Sequence, residues 1–119
     1  MLLAIPYENG MIFPHFGRTP AFKIYYIENN DIIQTNVIST NGHGHSELAV
    51  LLESLHVDTV ICGGMWSGMR RLMSLKCIDI YPGVSGYADD AADALIDGVL
   101  DYGPDMMCSH DDTHEKLIN

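Results

Sequence analysis

The sequence predicts one α/β domain, a five-stranded mixed sheet with order 3-2-1-4-5, its second strand antiparallel to the others, flanked by helices. Three observations lead there. A chain of 119 residues and 13.2 kDa, 47% of them hydrophobic, suffices for one buried core. Two runs rich in β-branched and aromatic residues, Ala21–Ile27 and Asp31–Ile38, flank Glu28-Asn29-Asn30 and read as a hairpin. Beyond it, helical apolar periods alternate with short apolar runs, the pattern of right-handed crossover units between parallel strands.

The elements follow in order. Met1–Pro6 is a short apolar run stopped by proline, suited to a buried strand. Tyr7–Pro20 reads as a loop, with Gly10, Pro14, Gly17 and Pro20, and Met11–Phe13 as a short extended piece. After the hairpin, Thr40–His45 is a polar glycine-bearing loop, and Ser46 is expected to cap a helix with Glu47 in its first turn. Leu48, Leu51, Leu52 and Leu55 form one apolar stripe on that helix.

Val57–Cys62 is the next strand candidate, closed by Gly63-Gly64. Met69, Leu72 and Met73 mark a helix from Trp66 or Ser67 to Lys76, and Cys77–Tyr81 a short strand. Pro82–Gly86 is a loop. Ala88, Ala92, Leu95 and Val99 define a last helix, with Asp89, Asp90, Asp93 and Asp97 turned mostly to water. The expected division is a domain over 1–100 and an acidic tail over 101–119.

Charge narrows the partners. Sixteen acids against six bases leave a formal charge of −10, which repels phosphate backbones and argues against nucleic acid. No apolar run approaches a membrane span, and Met1–Pro6 lacks a basic flank, so no membrane partner and a cytoplasmic location are expected. Cys62, Cys77 and Cys108 are odd in number and form no CxxC pair, which suits reduced thiols. Ten of the acids fall in residues 79–119, so a neutral or positive site belongs to the first two-thirds of the chain.

With the expected topology, the loops after strands 1, 3, 4 and 5 emerge together on the carboxyl edge of the sheet, where α/β folds usually bind ligands. That rim gathers His15 and Arg18, then His43 and His45, then Cys62, Gly63 and Gly64, and finally Gly83–Gly86. An HxH pair offers two imidazoles to one metal, although the same loop serves equally as a solvated turn. Arg18 in an acidic chain suggests an anion. Cys62 ends a buried strand, where a thiol is commonly a small core hydrophobe. Gly63-Gly64 permit close backbone approach, but GGxxxG is neither a P-loop nor GxGxxG. In the tail, Cys108, His110 and His114 are soft-metal donors flanked by acids, or part of a disordered segment.

No GxSxG or HExxH motif is present. The three-strand opening is compatible with a ribonuclease H-like fold, but the first strand reads Leu-Leu-Ala-Ile-Pro, without the carboxylates that nuclease chemistry needs.

Taken together, IFPHFGR (12–18), TNGHGH (40–45), VICGG (60–64), YPGVSG (81–86) and MCSH (107–110) resemble the dinitrogenase iron–molybdenum cofactor biosynthesis family, which includes NifX- and NafY-like carriers and the C-terminal domain of NifB. The resemblance implies a ribonuclease H-like βββαβαβα fold without nuclease activity. It implies non-catalytic binding, carriage or insertion of an iron–sulfur, iron–molybdenum or molybdenum–copper sulfide cluster, held exchangeably, with a cluster-donor or acceptor protein as partner. By position, it assigns cofactor binding to His15, His43, His45, Cys62, Gly63 and Gly64. Cys108 and His110 are candidate metal donors in the tail, and Met65-Trp66 replaces the small residues usual after the CGG turn. A reading of another class is a regulatory or interaction module that senses a small anion or a partner through the same rim.

Overall fold

The computed structural model describes residues 1–42 and 44–103, with the side chains of His45 and Ser46 outside that description. Strands β1 (Leu2–Glu8), β2 (Met11–Ile12), β3 (Ala21–Glu28) and β4 (Asp31–Ser39) come first, with a 3₁₀ turn at Phe16–Arg18. Helix α1 (His45–Ser54), β5 (Thr59–Ile61), α2 (Ser67–Leu75), β6 (Asp79–Tyr81) and α3 (Ala88–Ile96) follow. The chain is a mixed α/β fold.

Five strands are expected from the sequence; the sheet has six. Its path is β4-β3-β1-β5-β6, with β2 paired to β1 off that path. The extra strand exists because Asn9 and Gly10 take φ of 51° and 86°, a tight reversal that sets Tyr7 opposite Ile12 and Glu8 opposite Met11. β3 runs antiparallel to both β1 and β4, while β1, β5 and β6 are mutually parallel. Asn29 and Asn30, at φ 51° and 65°, turn the β3–β4 hairpin.

Strand alternation divides the core in two. Ala4, Phe22, Ile24 and Val60 enter one layer with Leu48 and Leu52 of α1 and Met69 and Met73 of α2. Leu3, Ile5, Tyr25, Ile27 and Ile61 enter the other with Ala88, Ala91 and Ala92 of α3. The small alanines let α3 lie close against the sheet.

Element ends differ from expectation for identifiable reasons. α1 begins at His45 rather than after a Ser46 cap; Gly44 is its N-cap, and the Gly44 N–H donates to the Glu47 carboxylate at 3.2 Å. The strands expected at Val57–Cys62 and Cys77–Tyr81 shrink to Thr59–Ile61 and Asp79–Tyr81 because the preceding helices close with αL residues, His56 and Cys77, both at φ 60°. In each closure the next residue donates back into the last turn, Val57 N–H to Leu52 O at 3.1 Å and Ile78 N–H to Met73 O at 2.9 Å. α3 closes the same way on Gly98, so Val99, expected on its apolar stripe, lies beyond the helix and is 71% exposed.

Candidate functional site

The segment after β2 is stitched to the turn after β5. Phe13 N–H donates to Pro6 O at 2.9 Å, and Ile12 N–H to Gly86 O at 2.9 Å. His15 then pairs with Gly64 as an isolated parallel bridge. Phe16, buried and packed 5.5 Å from the Phe22 ring, anchors the 3₁₀ turn in the core and leaves His15 and Arg18 exposed on either side. The His15 ring meets the Phe13 ring edge-on, with centroids 6.4 Å apart.

Two buried threonines fasten the neighbouring loops. Thr40 Oγ1 donates to Thr19 O at 2.7 Å, Thr40 N–H to Pro20 O at 3.0 Å, and Thr19 Oγ1 to Ala21 O at 2.7 Å. The loop that leads into residues 41–45 is thereby tied to the end of the His15 segment. Asn41 and Gly42, at φ 55° and 75°, turn the chain towards α1.

The wall facing the Pro14 segment comes from the loop after β6. Gly83 N–H donates to Gly63 O at 2.8 Å and Val84 N–H to Cys62 O at 3.0 Å. Between these walls lies a cleft of about 270 Å³ lined by Ile12, Pro14, Gly63, Gly64, Gly83, Val84 and Ser85. That volume is below the ~300–1,000 Å³ typical of organic-ligand pockets. Among the described residues, no lining residue is acidic. The cleft is therefore small, walled by glycine backbone and aliphatic side chains, and its described lining is free of carboxylates that would repel an anion.

The sequence-derived site residues are distributed unevenly around it. Gly63 and Gly64 line the cleft, and His15 is set beside Gly64 by the backbone bonds of its neighbours Pro14 and Phe16. Arg18 is exposed one turn further on. Cys62 is fully buried among Phe16, Met65 and the rest of the first core layer, so its side chain packs inward while its carbonyl holds the Val84 loop. His43, the His45 side chain, Cys108 and His110 lie outside the described residues. Among the described residues, no group of three or more His, Cys, Asp or Glu could hold a metal ion. Thr19 and Thr40, which position the loops, are missed by sequence reasoning, because threonine in a strand-flanking loop carries no signal until its hydrogen bonds are known.

A match to the dinitrogenase iron–molybdenum cofactor family model spans residues 1–98. The chain belongs to this family. The Methanocaldococcus jannaschii protein MJ0580, itself uncharacterized, is 28% identical over 106 residues, covering 85% of this chain and 90% of its own length. The crystal structure of PH0822 superposes with a TM-score of 0.82 at 26% identity, over 88% of this chain and 96% of the other. The apo orange protein of Desulfovibrio gigas shares the fold, with a TM-score of 0.76 at 16% identity over 87% and 92% of the two chains. Among the described residues, no helix is long and apolar enough to cross a membrane.

Proposed function

We propose that this protein binds and carries, or inserts, a metal–sulfide cluster as exchangeable cargo, without turnover of its own. The observation that carries the reading is the cleft at Gly63, Gly64 and Gly83, which no carboxylate lines among the described residues, with exposed His15 held beside Gly64 by the backbone bonds of Pro14 and Phe16. Such clusters are compact and anionic. A backbone-walled cavity of about 270 Å³ suits a group of that size better than a nucleotide. Imidazole from His15, and in this reading from His43 and His45 of the segment after β4, supplies borderline-soft ligands for iron or copper. Arg18 adds local positive charge, and Cys62 shapes the turn through its backbone. Cys108 and His110 of the tail complete the donor set in this reading.

Membership of a family described by the iron–molybdenum cofactor supports an iron–sulfur or molybdenum-containing cargo. The scaffold is then ribonuclease H-like in outline and not a nuclease, since the inward residues of β1 are Leu3, Ala4 and Ile5.

Anaerobic titration of the purified chain with a molybdenum–iron–sulfur or copper–molybdenum sulfide cluster, followed by visible absorption, tests this. His15→Ala and His43→Ala are each expected to weaken uptake. His15 is exposed, so its loss leaves the core untouched. Equal uptake by the wild type and the double variant rejects the site.

A further inference from the structure

The two edges of the sheet are unlike. β6, at one edge, has three residues, and short edge strands offer little to pair with. β4, at the other, has nine, Asp31–Ser39, and none of them is fully buried. Long edges are normally guarded by lysine, proline, inward-pointing charge or a bulge that twists the edge away. β4 has neither lysine, proline nor inward-pointing charge: its one charge is Asp31 at its very start, in a chain with a net charge of −10. Ile33 and Val37 are 58% and 51% exposed, an apolar stripe with Thr35 between them. The register shift opposite Tyr26 and Ile27 makes Ile33 the extra residue of a bulge, which twists that end of the edge and leaves residues 34–39 as its regular stretch.

The strand is self-complementary. About a two-fold axis at Thr35, an antiparallel copy sets Thr35 against Thr35, Gln34 against Asn36, and Val37 against the bulged Ile33. Apolar meets apolar, amide meets amide, hydroxyl meets hydroxyl, and no like charges face each other. We propose that β4 pairs with β4 of a second copy, joining the two sheets into one continuous antiparallel seam. The neutral centre of the strand is what allows two strongly acidic chains to approach there. Residues 12, 14, 63–64 and 83–85, which line the cleft, belong to other segments, so the pairing leaves both clefts open.

Analytical ultracentrifugation of the full chain across the micromolar range is the test, with circular dichroism to verify folding of each variant. Wild type is expected at twice 13.2 kDa. Thr35→Lys places two ammonium groups face to face on the axis and is expected to give monomer. Ile33→Lys with Val37→Lys does the same. Ile33→Lys with Val37→Glu sets opposite charges across the seam and is expected to restore the dimer, more strongly at low salt. A wild type that is monomeric throughout overturns the proposal, leaving the edge for a strand of another protein. So does a dimer indifferent to Thr35→Lys, or a Lys/Glu variant as monomeric as the Lys/Lys one.

Discussion

His15 and Gly64 are joined backbone to backbone: Gly64 N–H donates to Pro14 O at 2.9 Å, and Phe16 N–H donates to Gly64 O at 3.3 Å. The contact brings the Pro14 backbone so close to Gly63 that a Cβ there would stand 3.0 Å from Pro14 O and 3.2 Å from Pro14 Cα. Gly63→Ala must push main chain, not a yielding side chain. We expect a stability loss of about 1–3 kcal/mol, the usual cost of overpacking, together with weaker cluster uptake. Urea unfolding and the cluster titration on the same variant check both.

Helices α1 and α2 end on His56 and Cys77 at φ 60°, a conformation that glycine adopts without steric cost. Both residues are exposed. His56→Gly and Cys77→Gly are each expected to stabilise the fold by about 1 kcal/mol, the relief of αL strain net of the added freedom of the unfolded chain. An unchanged or lower urea midpoint contradicts this.

Asp89 accepts hydrogen bonds from Lys23 Nζ and from the Tyr25 hydroxyl, both at 2.8 Å, and these two donors hold its carboxyl below the usual range. A depressed folded pKa stabilises the protein above the unfolded value of ~3.9, and that contribution is lost as pH falls through the folded value. Asp89→Asn is therefore expected to lower stability at neutral pH, with the gap from wild type closing in acid below about pH 4. Burial, reinforced by Asp89, pushes the Tyr25 phenol far up. Its contribution is present at neutral pH and lost as pH rises above ~10, so Tyr25→Phe is expected to flatten the alkaline limb of the same profile.

Trp66, the one tryptophan, lies over Gly68 in the first turn of α2, where an added Cβ would come within 2.6 Å of the indole ring. Gly68→Ala is expected to swing the ring outward and shift its emission to the red. Overall stability should change by less than about 1 kcal/mol, because alanine's helix propensity offsets the lost packing. An unshifted spectrum counts against it.

Much of the fold is legible because periodicity is local. The leucine stripe of α1, the methionines of α2 and the alternation along β1 and β3 each report burial from neighbours a few residues away. Helix and strand ends are harder. Nothing about His56 or Cys77 announces a left-handed closure that glycine usually supplies. β2 is only two residues long, so it carries no period even though Asn9-Gly10 marks its turn. The site is legible as a list of loops and not as a shape. Gly63 and Gly64 are visible as a turn, but their bonding to Pro14 and Phe16, and the inward lodging of Cys62, depend on segments far apart in the chain.

A cleft built from glycine backbone and a few aliphatic side chains ties recognition only loosely to residue identity. Side chains around it can drift over evolutionary time while the cavity keeps its dimensions, so long as the glycines remain and the loops stay bonded. Relatives with little lettering in common could then keep the same hollow, and differences among them should be sought at exposed neighbours such as His15.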